Sequence, residues 1–515
     1  MASFQRDRVL EALASTTYDV VVVGAGMTGA GVALDAASRG LRVALIDSGD
    51  IGSGTSSKSS KMVHGGLRYL QQREFRLVYE NLRERQRLLE NAPFLVRPLP
   101  FLVPLFGRNG VASKALVKGY STALRLYDLS GGWRIGQRHK KVTREEALSH
   151  LPTLNAEHLV AGFLYFDARG DDARVALALA KTASLDFGAD VATYLRASDI
   201  THDASGRANA VVVQDQLSST MITVATKAVV NATGVWADAL FTMAEHERSH
   251  RITPAKGIHL SVPRDRLPAD VAAVFNVAGD RRSIFVVPFE GAPFTYVGTT
   301  DTAYSGDLDE PHCTPEDVAY LLNAVNASTS SLLTTKDVTG LWAGLRPLLA
   351  PVEGKAMKER TADLSRRHRV TDSGDGVVHI TGGKWTTYRQ MAEDTVNALR
   401  PYSTSLPRTK TKRLRLHGVG DWRPSTPLET HLYGRFGEDA VVLLEMIRGD
   451  ESLATCLISG QPYVGAEFIF AVRYEMATSL LDLLTRRTRA HLHDARATLA
   501  AAAAIAQLVA PELGW

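Results

Sequence analysis

Three observations predict an α/β fold with an all-α C-terminal cap. A valine run at residues 20–23 leads into a glycine-rich turn and then a small-residue stretch closed by Arg39-Gly40. That is the pattern of a β-α-β unit on a parallel sheet. Residues 283–301 alternate apolar runs with turns, as a mostly antiparallel second sheet would. Beyond residue 426 the glycine-rich turns largely stop and helical periodicity takes over. With 515 residues, 45% hydrophobic and 22% charged, the chain is long enough for several domains with buried cores.

Taken in order, residues 18–47 form one β-α-β unit: a buried strand at 19–23, a helix from about 27 to 38, and a second strand at 41–47. A polar loop follows, GSGTSSKSSKMVHG at 52–65. A helix is expected from near Gly66 to about Asn91, with Leu70, Val78, Leu82 and Leu89 among its apolar positions. Pro93, Pro98, Pro100 and Pro104 exclude helix thereafter. Further strand-and-turn signals lie at 227–234 (KAVVNATG) and at 377–383, which runs into a glycine pair. Segments 1–80, 155–250 and 355–400 are expected to form the domain that carries this β-α-β unit, and 81–154 and 251–354 a second domain. Residues 405–515 are expected as a separate helical domain, with Ile469, Val472, Met476, Leu480 and Leu484 on one helical face.

Composition excludes several function classes. A net charge of +4 over this length does not suit nucleic acid as a main partner. The two cysteines, Cys313 and Cys456, have no metal-type spacing, so neither a disulfide framework nor a metal site is expected. No segment reaches the ~18–20 apolar residues that span a bilayer, and the N-terminus lacks the apolar core of a signal peptide. The expectation is a cytoplasmic protein, soluble or peripheral on a membrane surface. The basic runs at 408–415 and 138–141 read as solvated faces, or as contacts for anionic lipid.

The strongest motif is Gly24-Ala25-Gly26-Met27-Thr28-Gly29, directly after a strand and opening a helix. Gly24 permits the tight turn, Gly26 lets a pyrophosphate approach the backbone, and Gly29 lets the helix pack closely on the sheet, the Rossmann-like arrangement. The helix N-terminus then offers N–H groups to phosphate. Asp47 lies 18 residues beyond Gly29, placed to accept from a ribose hydroxyl. This motif alone fits FAD or NAD. Its N-terminal position and the later Asn231-Ala232-Thr233-Gly234 turn favour FAD. Hydroxyls of Thr55, Ser56, Ser57, Ser59 and Ser60 are candidates for its pyrophosphate or ribityl chain. The backbone of Gly382-Gly383 can hold a flavin carbonyl, with Lys384 and Thr386 reaching the flavin–substrate gap.

The chain resembles the FAD-dependent glycerol-3-phosphate dehydrogenases. The matching stretches include 24–40, 55–70 (TSSKSSKMVHGGLRYL), 171–174, 231–236, 256–259 (KGIH), 297–301 (VGTTD), 344–348 (GLRPL), 382–392 (GGKWTTYRQMA) and 486–489 (RRTR). HGGLRYL and GGKWTTYR are the most specific. One departure is Ala25, where the family often has a further glycine. The resemblance implies an amino-acid-oxidase-like flavoprotein. Its reaction would be oxidation of sn-glycerol 3-phosphate to dihydroxyacetone phosphate, with hydride to flavin N5 and electrons passed to a quinone at a membrane surface. An oxidase using O2, an amine oxidase of related fold and a non-catalytic flavin-binding scaffold are the alternatives. The resemblance places Arg346 and Arg366 at the substrate phosphate, where forked, always-charged donors are expected. Tyr69 and Thr386 complete the substrate-binding set. A secondary alcohol also needs a base near neutral pH. His64 and His259 are the candidates, with the choice between them open, and Arg68 and Lys384 join them in the catalytic set. A homodimer is compatible with the sequence, which sets no oligomeric state.

Overall fold

The computed structural model describes residues 4–67, 74–107, 114–245, 251–277, 282–350 and 367–515. The β-α-β unit forms as the pattern predicts. Strand Val20–Val23 is wholly buried, helix Met27–Ser38 follows, and strand Val43–Ile46 returns parallel to the first. Gly40 stops the helix at φ +93°, a left-handed conformation that favours glycine. A six-stranded sheet grows from this unit, in the order 368–372, 377–382, 229–231, 20–23, 43–46, 190–192. All neighbours run parallel except the edge strand His368–Asp372. Helices Met27–Ser38, Asp172–Leu185 and Tyr388–Ala398 cover one face with a dense apolar core. The other face packs on a three-stranded antiparallel sheet (195–202, 208–215, 221–225).

Among the described residues the second sheet has ten strands. It is antiparallel except where Ala272–Asn276 runs beside Val96–Phe106. Strand Ile252–Pro263 lies inside this sheet. Along its length it pairs with Gly340–Leu349 on one side and Phe294–Gly298 on the other. Met62–Val63 and Leu159–Gly170 fall in spans grouped with the β-α-β unit, yet both pair in this second sheet. Strand 159–170 finds its partner, 96–106, about 60 residues away in sequence, a choice that local pattern does not encode.

The C-terminal region is helical, with helices Pro427–Phe436, Ala440–Gly449, Gly465–Glu475 and Ala495–Leu513. The expected continuous face from Ile469 to Leu484 does not form. The helix stops at Glu475, Met476 turns left-handed at φ +55°, and Ser479 caps a new turn. Arg487 donates to the Glu475 carbonyl, and the redirected chain aims Arg486 and Arg487 at Asp50. The helix expected from Gly66 is described from Phe75 to Asn91. No described helix is long and apolar enough to cross a membrane.

Candidate active site

One cleft of about 1200 Å³ runs between the two sheets. Ligand clefts usually measure ~300–1,000 Å³, so this one can hold an extended dinucleotide with a small substrate beside it. Its nucleotide end is lined by Gly24, Gly26, Met27, Thr28 and Asp47, with Ala232, Thr233 and Gly234 alongside. Gly24 sits at φ +105°, and a Cβ there would come within 2.6 Å of the Ala232 carbonyl oxygen. Gly29 lies behind the wall, where a Cβ would overlap the Gly24 carbonyl, so its role is close packing. Ala25 also faces away from the cleft and donates its N–H to Asp47 at 2.6 Å.

Asp47 accepts from two backbone N–H groups, those of Ala25 and Gly49. Burial nevertheless pushes its carboxyl up to about 6, and neighbouring Asp50 adds to the rise. The hydroxyl loop is tied into the protein more than its composition suggests. Thr55 donates to the Leu345 carbonyl, Ser57 to the Gly54 carbonyl and Ser59 to Asp172. Ser56 differs, because its oxygen accepts from the Met27 N–H at 2.8 Å. That leaves its own proton to give to a phosphate. The glycine cradle, the helix N-terminus and Ser56 together fit a dinucleotide such as FAD.

The other end of the cleft is built on strand pairing. His259 and Arg346 lie on neighbouring strands, where His259 is opposite Trp342 and Arg346 opposite Ala255. The His259 ring is buried, stacks on Trp342 with centroids 4.8 Å apart and 8° between planes, and exchanges a 2.7 Å hydrogen bond from Nε2 to the Ser60 hydroxyl. Its Nδ1 has no hydrogen-bond partner among the described residues. Burial, reinforced by the charges of Lys61 and Arg346, holds the imidazole well below its usual range, so it is neutral. Arg346 is steadied by the Thr299 hydroxyl, the Thr300 carbonyl and Asp301, at 3.2–3.4 Å. The glycines of KGIH and VGTTD give these side chains room: a Cβ on Gly257 would clash with the Arg346 guanidinium, and one on Gly298 with the His259 ring. His64, Gly382, Gly383, Lys384 and Thr386 line the same cleft, as do Thr55, Ser56, Ser57, Ser59 and Ser60. Arg68, Tyr69 and Arg366 lie outside the described residues.

Several residues of this end escaped the sequence reading. Trp342 carries no local signal, since only pairing brings it under His259. Tyr296 donates to the Ser60 carbonyl at 2.9 Å. Lys61, left-handed at φ +55°, is buried between Asp172 (3.4 Å) and the Trp342 ring (5.1 Å). Burial draws its ammonium down to about 8, with Asp172 opposing the shift. The signals that could have found this cluster were VGTTD and the stretch 171–174, each noted as a matching stretch without a role, beside KGIH, which supplied His259.

Comparison with known proteins is consistent with this geometry. Residues 19–389 match a family model described as FAD dependent oxidoreductase, and 378–515 match the C-terminal domain of alpha-glycerophosphate oxidase. The chain is 37% identical over 528 residues to "Glycerol-3-phosphate dehydrogenase 2" of Mycobacterium tuberculosis, covering 99% of this chain and 87% of that protein. It is 33% identical over 542 residues to the mitochondrial glycerol-3-phosphate dehydrogenase of Homo sapiens, covering 99% and 72%. Among solved structures, the glycerol-3-phosphate dehydrogenase of Bacillus halodurans complexed with FAD superposes with a TM-score of 0.77 at 30% identity, covering 99% and 93%. The FAD-bound L-alpha-glycerophosphate oxidase of Mycoplasma pneumoniae, at TM-score 0.60 and 18% identity over 78% and 99%, shares the fold.

Proposed function

Because the chain belongs to the FAD-dependent glycerol-3-phosphate dehydrogenases, we propose that it oxidises sn-glycerol 3-phosphate to dihydroxyacetone phosphate, with FAD along the nucleotide end of the cleft. The observation that carries this reading is that a dinucleotide cradle, a fixed arginine and a buried neutral histidine line one cleft. FAD, when bound, supplies acceptance of the C2 hydride. Gly24, Gly26, Thr28 and Ser56 would hold its pyrophosphate. Arg346 would take the substrate phosphate, its fork already aimed by Thr299, Thr300 and Asp301. The C2 hydroxyl proton would go to His259, whose Nε2 is held by the Ser60 hydroxyl. Burial, and after it the nearby cations, weaken His259 as a base. A phosphate dianion on Arg346 would offset the cations' share of that effect. Lys384 and Thr386 complete the lining, and His64 stands in the same wall.

Two further features bear on the acceptor. The cleft continues into an apolar end lined by Phe101, Val103, Tyr165, Val274 and Phe285, which suits a quinone ring. Close by, helix Lys114–Leu129 contributes Tyr120 to the cleft and turns Lys118, Arg125, Leu126 and Leu129 outward. Exposed Phe75, Tyr79 and Trp133 extend the patch, with Arg134 lying over the Tyr79 ring. Mixed apolar and basic groups suit an anionic membrane surface. A second copy docked by two-fold symmetry would face base against base.

The test is the visible spectrum under anaerobic conditions. Flavin bands that bleach with glycerol 3-phosphate and not with glycerol support the reading; bands unchanged by the phosphate ester overturn it. Peroxide formed in step with substrate loss would move the acceptor from quinone to oxygen.

A further inference from the structure

We propose that Asp172 and the cap residue Arg489 are positioning residues for His259, acting through the 59–61 turn; the catalytic part of this statement rests on the function proposed above. The turn has no regular secondary structure of its own, yet Ser60 must place one hydroxyl against a buried imidazole. Asp172, wholly buried, supplies the anchor. One carboxylate oxygen accepts from both the N–H and the hydroxyl of Ser59, at 3.0 and 2.6 Å. The other faces the Lys61 ammonium at 3.4 Å and the Ala173 N–H at 3.1 Å. Residues on both sides of Ser60 are thus held by one side chain, and Lys61 donates its own N–H back to the Ser59 hydroxyl.

A buried carboxylate needs its charge matched, and Lys61 alone sits at a long distance. Arg489, from the helical cap, closes the balance. Its guanidinium bonds Asp172 directly and Asp171 at 2.9 Å, and it is itself buried. The cap backbone is held in turn, because the Arg489 N–H donates to the Tyr463 hydroxyl at 3.0 Å. The chain of contact runs from cap to Arg489, to Asp172, to Ser59 and Lys61, and so to Ser60 and His259. The same helix offers an internal control. Arg174 pairs with cap residue Glu475 at 2.7 and 2.8 Å and touches nothing in the 59–61 turn.

A double-mutant cycle on the FAD-loaded full chain tests this. Asp172→Asn is expected to lower kcat on the order of 10²-fold, the scale of a small misplacement, with KM and flavin absorbance held. Ser60→Ala is expected to lower it similarly, and the double variant to be no worse than Ser60→Ala. Losses that multiply overturn the proposal. If Asp172→Asn does not fold, Arg489→Lys, which keeps the charge and loses the fork, replaces it in the cycle. Hydrogen–deuterium exchange of the peptide spanning 57–63 supplies the readout independent of turnover. Exchange there should rise in Asp172→Asn or Arg489→Lys and stay at the wild-type rate in Glu475→Gln. An unchanged peptide in the first pair, or an equal rise in the control, overturns it. Should the wild type not oxidise glycerol 3-phosphate, the proposed function fails, while exchange still decides whether the strut exists.

Discussion

The two ends of the cleft are built by different means. The nucleotide end comes mostly from one short span of chain, residues 24–29, 47 and 56, closed by 232–234, and uses backbone N–H groups, glycine space and the Ser56 hydroxyl. The substrate end draws on strands 252–263, 294–298 and 340–349 and on the turn at 59–61, and uses full charges and a stacked imidazole. Local order suffices to present neutral donors to a phosphate diester chain. Stripping and orienting a small dianion needs buried charge, and buried charge needs partners from distant segments. The helical cap supplies one such partner, Arg489 on Asp172, and makes further buried pairs away from the substrate end. Arg486 and Arg487 hold Asp50 at 2.6–2.8 Å, Arg174 pairs with Glu475, and Lys181 pairs with Asp439.

The comparison breaks most sharply at the cap junction. Asp50→Asn leaves two buried guanidiniums underpaired, and a loss of about 3–5 kcal/mol is expected, read by chemical unfolding. The cause is electrostatic: Arg487 and Arg486 hold the Asp50 carboxyl below its ordinary range. Its contribution is therefore present above the unfolded carboxylate pKa and lost as pH falls through the folded value.

Next in size is Arg346→Ala. Removing a charged hydrogen-bonding fork costs about 1.5–3 kcal/mol. The expected outcome is a ~10–150-fold loss of kcat/KM for glycerol 3-phosphate with normal flavin absorbance. Equal loss of flavin and turnover would show that the two ends are not independent. Gly298→Ala sharpens the same point. Its Cβ enters the His259 ring space, so kcat should fall while FAD stays bound.

Asp47→Ala should do the opposite, lowering FAD retention first. Flavin content of the purified variant measures this, and unchanged content would remove Asp47 from the nucleotide end. The smallest effect concerns His417, which bridges Asp186 and Asp439. These partners raise its pKa from 6.5 to about 9. Its stabilising charge is complete below 6.5 and is lost as pH rises toward 9. The melting temperature should decline modestly across that window, and His417→Gln should flatten the decline.

These contrasts explain which features local pattern could reveal. The valine strand, the Gly24–Gly29 turn, the helix stop at Gly40 and the glycine pair at 382–383 depend on short-range sterics and period, and they appear in the structure where the pattern predicts them. Membership of strand 159–170 in the second sheet and the break at Met476 do not follow from local period. Sheet partnership and ion pairing across hundreds of residues decided them. The His259 end of the cleft makes the same division. Residue types, motifs and the family resemblance pointed to His64 or His259 and to Arg346, Arg366 and Lys384, because phosphate and proton chemistry needs those groups. Antiparallel register laid Trp342 under the imidazole, and a carboxylate on helix Asp172–Leu185 drew in a cap arginine 317 positions away. Hydrogen-bond geometry and the expense of uncompensated buried charge made those choices, and both act only once distant strands and helices are side by side.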